Sequence, residues 1–227
     1  MKTVHVSSPG QIKVTTNPEP TLEKDQVLLQ PIVSTLAQDD VRNVYSKPAD
    51  SYPLPPGASA HEMVARVIEA KYSARQWREF QPGEIVAYYG AIPVGLSETV
   101  AVPHSSVYWL PPAADPDLQV VPTARSLGAV IEACNSFPAL STACTAVVGQ
   151  GCSGLLFDIM LARMGAEVIA GIDIRPDRAA AAKRFGATIS LLPDENPVEQ
   201  ITETNGGFLS DVVVETSGTA AGLRLAT

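Results

Sequence analysis

The segment TAVVGQGCSGLLFDIMLARMGAEVIAGIDIRPDR, residues 145–178, contains three glycines in the order G-x-G-x-x-G, at Gly149, Gly151 and Gly154. An aliphatic run precedes them and a helical pattern follows, so the segment predicts a strand, a tight turn and a helix. In such a unit the first glycine permits the turn, the second lets a pyrophosphate approach the backbone, and the third lets the helix pack on the strand. The free N–H groups at the start of the helix attract phosphate. The segment therefore predicts a dinucleotide-binding site.

An acidic residue supports this interpretation. Asp173 ends the second predicted strand and follows Gly149 at close to the ~20-residue spacing of the dinucleotide fingerprint. A carboxylate there accepts hydrogen bonds from the adenosine ribose and repels a 2′-phosphate, which favours NAD over NADP. Arg175 and Arg178 follow Asp173 closely in the sequence. They are either solvent-exposed residues at the start of a helix or contacts of the cofactor. The alternative is a glycine turn in an α/β fold that binds no nucleotide.

Outward from this segment the chain has two different patterns, which predict a β domain over residues 1–125 and an α/β domain over residues 126–227. The first half predicts short strands between proline and glycine turns, at residues 26–34, 62–70, 83–90 and 97–111. The second half alternates strands and helices, which predicts a parallel sheet with helices on both faces. Its strands are expected at 145–149, 167–173, 188–192 and 211–218, and its helices at 153–166, 176–187 and 196–207.

The composition excludes several classes of function. Among 227 residues, 16 Lys and Arg face 24 Asp and Glu, and the resulting net charge of −8 offers no basic surface for nucleic acid. No apolar run approaches the ~20 residues that cross a membrane. Three cysteines without CxxC spacing indicate reduced thiols, which is typical of the cytoplasm.

Several stretches together resemble the medium-chain dehydrogenase/reductase family of alcohol and polyol dehydrogenases. The resemblance runs along nearly the whole chain and is carried by the glycine turn and by the stretches GASAHEMVARV (57–67), QPGEIVAYYG (81–90), GLSETVAVPHSSVYWLP (95–111) and DVVVETSG (211–218). It implies a GroES-like β domain that carries the substrate site, followed by a Rossmann domain. It also implies that the cofactor is held by Gly149, Gly151, Cys152, Ser153, Gly154, Asp173, Arg178, Thr216 and Ser217.

The chain departs from the family pattern at the catalytic metal. In LAQDD (36–40), Ala37 stands where zinc members have a cysteine, and Asp39 stands where the family keeps a proton-relaying Ser or Thr. His61 and Glu62 match the second ligand and its neighbour, and Glu132 resembles a Glu near the metal of polyol-type members. Because the thiolate is missing, we expect no catalytic zinc; the alternative ligand set is Asp39, His61 and Glu132.

Two further departures concern whole segments. AIPVG (91–95) bridges the place of the four-cysteine lobe that holds a structural zinc, so we expect no such zinc. Pro138 stands where a connecting helix is expected, so that helix is predicted to be broken or missing. The chain stops after the fourth predicted strand of the Rossmann domain, which implies a fragment with an incomplete Rossmann domain and one unpaired sheet edge.

These observations lead to one hypothesis and two alternatives. We expect an NAD-dependent oxidoreductase that transfers a hydride between nicotinamide and a small alcohol or carbonyl substrate without zinc, using Asp39, His61 and Glu62 for catalysis. The alternatives are a zinc enzyme with the substituted ligands, or a nucleotide-binding or interaction protein that has lost its redox activity. We expect no nucleic-acid or membrane partner, and a homo-oligomer if the protein is full length.

Overall fold

The computed structural model describes residues 1–74, 79–111 and 117–227 of the chain. The chain divides into two compact units, Met1–Arg125 and Ser126–Thr227. Within the described residues, no helix is long and apolar enough to cross a membrane.

The first unit is built from antiparallel β-structure. Five strands form one sheet, and two more form a separate hairpin near the amino terminus. One helix interrupts the strands. In chain order the elements are β1 (Lys2–Ser8), β2 (Gln11–Thr16), β3 (Gln26–Thr35), α1 (Gln38–Tyr45), β4 (Glu62–Lys71), β5 (Ile85–Tyr89), β6 (Val100–Pro103) and β7 (Val107–Trp109).

The five-stranded sheet has the order β6-β3-β4-β5-β7, with antiparallel neighbours throughout. Aliphatic side chains and Tyr88 from one face of these strands form its core. The long pairing of β3 with β4 brings Thr35, at the end of β3, opposite Glu62, at the start of β4. Both ends therefore lie beside α1, which follows β3 directly in the chain.

Some elements of this unit are not predicted by the sequence patterns. The β1–β2 hairpin precedes the first strand expected from the sequence, and its second strand is almost fully exposed although Ile12 and Val14 alternate there with polar residues. Helix α1 has only eight residues, two of them aspartates in its first turn, and has no long apolar stripe. The single strand expected over residues 97–111 is divided into β6 and β7 by a short 3₁₀ turn at His104–Ser106.

The second unit has the expected alternation of strands and helices. It contains α2 (Ala124–Cys134, which begins at the end of the first unit), β8 (Cys144–Val148), α3 (Cys152–Arg163), β9 (Val168–Ile172), α4 (Pro176–Phe185), β10 (Ile189–Leu191), α5 (Pro197–Thr204), β11 (Val212–Glu215) and α6 (Ala220–Ala226). Helix α2 ends before Pro138, and residues 135–143 contain no helix.

The four strands of this unit are parallel and have the order β10-β9-β8-β11. Strand β8 is fully buried along its length, because it lies inside the sheet with neighbours on both edges. Strand β11 pairs with β8 alone among the described residues and forms an edge of the sheet. After β8 the chain adds β9 and then β10 on one side of β8. It then crosses to the other side of β8 to form β11. A crevice at the carboxyl ends of the strands, at such a point of reversal, is where open parallel sheets bind ligands.

We predict that Gly171→Ala destabilises the second unit. Gly171 lies in β9, where an added Cβ would approach the Cβ of Ala182 in α4 to 2.5 Å and the Nε2 of Gln150 to 3.1 Å. Overpacking of this kind costs about 1–3 kcal/mol. Urea denaturation measures the loss.

The matched control is Gly128→Ala in α2, where an added Cβ meets no atom within 4 Å. Replacing this helical glycine by alanine should leave the protein unchanged or stabilise it by about 0.5–1 kcal/mol. Equal stability of the two variants would contradict the close packing of α4 on β9.

Candidate functional site

The glycine turn after β8 is fixed by close backbone contacts. Gly149 has φ +96°, and a Cβ there would lie 2.6 Å from the backbone N of Ser217. The Gly149 N–H donates to the carbonyl oxygen of Ile172 at 2.7 Å. The hydroxyl of Thr216 donates to the carbonyl oxygen of Gly149 at 2.7 Å. The turn is therefore held between the ends of β9 and β11 and has no room for a side chain at its first glycine.

The other two glycines of the turn serve different needs. A Cβ at Gly154 would overlap the carbonyl oxygen of Gly149, so α3 can pack on the turn only with glycine there. At Gly151 a Cβ would meet nothing within 4 Å, and φ is an ordinary −79°. Nothing in the fold requires glycine at position 151. Cys152 and Ser153 are exposed beside it, in the first turn of α3.

The open space at Gly151 therefore lies at the amino end of a twelve-residue helix. The first N–H groups of a helix have no partner within the helix, and the helix dipole adds a partial positive charge there. Space, free donors and positive potential together suit a phosphate group.

Asp173 lies at the carboxyl end of β9 and is buried. Its Oδ2 accepts the backbone N–H of Gln150 at 2.7 Å, and its Oδ1 accepts the backbone N–H of Arg175 at 2.9 Å. Each carboxylate oxygen can accept more than one hydrogen bond, so capacity remains for a sugar hydroxyl. The carboxylate thus ties the glycine turn to the end of β9, a link that the sequence motif does not reveal.

Two arginines follow this carboxylate. The guanidinium of Arg175 donates to Asp177 through Nε at 3.1 Å and through Nη2 at 2.7 Å. The hydrogen bond from Arg175 lowers the pKa of Asp177 below its usual value. Arg178 is exposed on α4. Arg175 is thus engaged by a carboxylate of its own helix start.

A second polar cluster lies in the first unit, at the ends of β3 and β4. The side chain of Asp40, on α1, is buried. Its Oδ2 accepts the backbone N–H of Ala37 at 2.9 Å, and its Oδ1 accepts that of Ala60 at 2.9 Å. The same Oδ1 lies 3.4 Å from Nδ1 of His61. A carboxylate on Nδ1 favours the tautomer that carries its proton there, which leaves Nε2 as a base.

Glu62 lies on the other side of this histidine and is also buried. Its Oε1 is 3.9 Å from Nε2 of His61 and 3.7 Å from Nη1 of Arg125. Its Oε2 accepts a hydrogen bond from the hydroxyl of Thr35 at 3.3 Å. The sequence motifs point to His61 and Glu62, but they give no role to Asp40, Thr35 or Arg125. Of these contacts, the sequence could indicate only the hydrogen bond between Asp40 and the backbone N–H of Ala37. An acidic residue three positions after the residue that caps a helix is typical of a helix start.

The remaining residues predicted for the catalytic site lie elsewhere. Asp39 is exposed on α1 and forms an ion pair with Arg42, with 3.6 Å between Oδ1 and Nη1. The structure therefore places Asp40, and not Asp39, against His61. Glu132 is exposed on α2 in the second unit.

The donor atoms present do not make up a catalytic zinc site. Such a site needs three protein ligands, and here Ala37 supplies none. Over the described ranges, no three His, Cys, Asp or Glu residues come together in a group that could hold a metal ion. The alternative ligand set of Asp39, His61 and Glu132 therefore gains no support from the geometry, and we derive no chemistry through a metal.

Known dehydrogenases are similar in sequence or in structure to parts or all of this chain, including both of its units. The family described as zinc-binding dehydrogenase matches residues 154–227. L-threonine 3-dehydrogenase of Bacillus velezensis is 36% identical over 135 residues, which are 57% of this chain and 38% of that enzyme. The crystal structure of galactitol-1-phosphate dehydrogenase from Escherichia coli is similar over 100% of this chain and 71% of its own, with a TM-score of 0.83 and 20% identity. A Sinorhizobium meliloti protein described as a zinc-binding dehydrogenase and solved with NADP bound matches 99% of this chain and 72% of its own, with a TM-score of 0.80 and 20% identity.

These matches support the likeness of the chain to the medium-chain dehydrogenase/reductase family. The resemblance in the sequence motifs is confirmed, and so is the fold it implies, a GroES-like unit followed by a partial Rossmann unit. The matched part of the chain covers 38% of the length of the threonine dehydrogenase and 71% of the galactitol-1-phosphate dehydrogenase chain.

We predict that Asp40→Asn destabilises the protein while Asp39→Asn does not. The substituted amide would place N–H donors against the backbone N–H of Ala37 or Ala60, and a buried donor left without an acceptor costs about 1–3 kcal/mol. The Asp39→Asn substitution removes only an exposed ion pair with Arg42, which contributes less than about 1 kcal/mol to stability. Chemical denaturation of both variants gives the comparison. An Asp40→Asn protein as stable as Asp39→Asn would contradict the assigned role of the Asp40 carboxylate.

Proposed function

We propose that this chain belongs to an NAD-dependent oxidoreductase that transfers a hydride between nicotinamide and an alcohol or carbonyl carbon without zinc. One observation carries the proposal: Gly151 has an ordinary φ and an empty Cβ position at the amino end of α3. A glycine that the fold does not need indicates a ligand that requires the space. A pyrophosphate suits that space, and the carboxylate for the ribose ends the neighbouring strand.

The polar groups around this turn favour NAD over NADP. A 2′-phosphate would meet the negative charge of Asp173, which accepts only backbone N–H groups in the structure. Arg175, the cation nearest in sequence, is engaged with Asp177. Thr216 and Ser217 close the other side of the turn, and Cys152, Ser153 and Arg178 are exposed around it. These residues would hold the cofactor, whose nicotinamide supplies the hydride chemistry when bound.

In the first unit, we assign proton transfer to His61. Asp40 holds the Nδ1 side of the ring, so Nε2 is the nitrogen able to exchange a proton with a substrate hydroxyl. Glu62 lies on that side of the ring, with Arg125 and Thr35 as its partners, and completes the polar cluster around Nε2. Asp39 remains a candidate for the final proton acceptor because it is exposed to solvent.

Several finer properties follow from the same proposal. The substrate is a small molecule with a hydroxyl or carbonyl group, as the names of the threonine and galactitol-1-phosphate dehydrogenases indicate for those relatives. A cytoplasmic location suits three cysteines without a disulfide. A homo-oligomer suits a sheet edge at β11 that has Val213 exposed.

A second candidate is a nucleotide-binding protein without redox activity. It is favoured by Ala37, which removes the thiolate of the zinc members while leaving the glycine turn intact. Oxidation of NADH in the presence of a panel of aldehydes and ketones, and reduction of NAD by alcohols, separate the two. Cofactor binding without turnover of any substrate supports the second candidate.

We predict that Gly151→Ala weakens NADH binding by more than about tenfold without changing stability. The added methyl group meets no protein atom, so it can clash only with a bound pyrophosphate. Fluorescence titration gives the affinity, and urea denaturation gives the stability. In the wild type, NADH should bind more tightly than NADPH.

Gly128→Ala is the control, because it adds the same methyl group to open space on α2, in another part of the unit. It should bind NADH as the wild type does. Unchanged binding by Gly151→Ala, or tighter binding of NADPH by the wild type, would overturn the cofactor assignment.

We predict that the purified protein contains neither a catalytic nor a structural zinc. The physical reason is the missing thiolate at Ala37 and the replacement of the cysteine lobe by residues 91–95. Elemental analysis of protein prepared without added metal tests this, with His61→Ala as the matched variant. One zinc per chain, absent from His61→Ala, would instead support the substituted ligand set.

A further inference from the structure

The loop that follows β11 is folded around the side chain of one acidic residue. Glu215 is the last residue of β11 and is partly buried. Its Oε1 accepts the backbone N–H of Ser217 at 2.8 Å and also accepts the hydroxyl of Ser217. Its Oε2 accepts the backbone N–H of Gly218 at 3.3 Å. The carboxylate therefore receives three donors from the residues that lie two and three positions after it.

Among the residues that the structure describes, no cation forms an ion pair with the carboxylate of Glu215. Its charge is stabilised by the hydrogen-bond donors of its own loop. Hydrogen bonds to an ionised acceptor are stronger than those between neutral groups. The carboxylate therefore determines the course of the chain over residues 215–218, where Gly218 has φ +63°.

Further hydrogen bonds join this loop to the start of α6. The hydroxyl of Ser217 has one proton, which it donates to Glu215, so its oxygen remains free to accept. It accepts the backbone N–H of Thr219 at 3.2 Å, and the hydroxyl oxygen of Thr219 lies 2.9 Å from it. The hydroxyl of Thr219 in turn accepts the backbone N–H of Gly222 at 3.0 Å and caps α6. Residues 215–219 thus form one connected network that begins at the Glu215 carboxylate.

Gly222 leaves the space that this network occupies. It is buried in the first turn of α6, where the helical backbone does not itself require glycine. A Cβ at Gly222 would lie 2.7 Å from Oε1 of Glu215 and would overlap Oγ of Ser217. Any larger residue would therefore displace the carboxylate or the hydroxyl. The absence of a side chain here is an independent sign that the sequence is fitted to the hydrogen bond between Glu215 and Ser217.

The loop packs directly against the glycine turn of the proposed cofactor site. A Cβ at Gly149 would lie 2.6 Å from the backbone N of Ser217 and 2.9 Å from its Cα. The hydroxyl of Thr216 donates to the carbonyl oxygen of Gly149 at 2.7 Å. Thr216 and Ser217 follow Glu215 directly in the chain. The carboxylate that fixes their backbone therefore also fixes one side of the glycine turn.

We propose that Glu215 is a positioning residue for cofactor binding, which holds the loop after β11 against Gly149 and acts on the cofactor only through that loop. This role rests on the proposed NAD-binding function. Without the carboxylate, the backbone N–H groups of Ser217 and Gly218 lose their acceptor and the loop samples other conformations. Cofactor binding must then order the loop, and the free energy of ordering is subtracted from the affinity.

Two substitutions of Glu215 separate its hydrogen bonds from its volume. Glu215→Gln keeps the shape of the side chain and one acceptor oxygen, which can still receive both donors of Ser217. Glu215→Met keeps the length of the side chain and removes both carboxylate oxygens. Gly222→Ala disturbs the same network from the opposite side and leaves every hydrogen-bonding group in place. Glu203→Met is the matched control, because Glu203 is exposed on α5.

The experiment measures three properties of the wild type and of each variant. Hydrogen exchange followed by NMR without cofactor reports on local opening at the amide of Ser217. Urea denaturation gives the global stability. Fluorescence titration with NADH, under conditions in which each protein is folded, gives the affinity. A residue that only stabilises the fold would lower the global stability and leave the affinity of the folded protein unchanged.

We expect Glu215→Met and Gly222→Ala to bind NADH about five- to twentyfold more weakly than the wild type and to exchange the Ser217 amide about three- to tenfold faster. Glu215→Gln should stay within about threefold of the wild type in both measurements, and Glu203→Met should match the wild type. Rescue by glutamine attributes the effect to the hydrogen bonds of the side chain.

Wild-type affinity in Glu215→Met, an unchanged rate of Ser217 exchange in that variant, or a loss in Glu215→Gln as large as in Glu215→Met overturns the positioning role. If Glu215→Met does not fold, Gly222→Ala decides by the same two measurements. If the wild type itself does not bind NADH, the cofactor assignment and the positioning role fail together. NADH binding by the wild type that is equally tight in Glu215→Met overturns the positioning role alone.

Discussion

The carbonyl oxygen of Gly149 occupies the place where a side chain at position 154 would have to be. This close approach of backbone to backbone fixes how near α3 can lie to the end of β8. The turn itself is held by Thr216 from β11 and by Ile172 from β9, so all three strand ends depend on it. The amino end of α3, the end of β9 and the end of β11 therefore converge on one small region of the second unit.

That region combines a neutral ligand-facing surface with polar groups beneath it. Gly151 leaves open space in front of the helix, while Gln150 turns its side chain inward to Val147 and its N–H toward Asp173. Alternate residues of the turn thus face the ligand space and the interior.

The first unit departs from the zinc members of the family it resembles in a way that its own contacts explain. Asp40 accepts two backbone N–H groups and lies beside His61, so its carboxyl oxygens have hydrogen-bond partners within the protein. Glu62 is likewise placed between His61, Arg125 and Thr35. Loss of the thiolate at Ala37 therefore leaves a polar cluster of hydrogen bonds and ion pairs that can still orient an imidazole.

The sequence by itself determined the order of elements from β8 to β11, the glycine turn and the acid at the end of β9, because strand and helix periodicity and glycine requirements are local properties. It did not predict helices α2 and α6, the exposed strand β2, or the short α1, which has no long apolar stripe. Tertiary structure alone decided that Asp40 rather than Asp39 meets His61, since adjacent residues on a helix point about 100° apart.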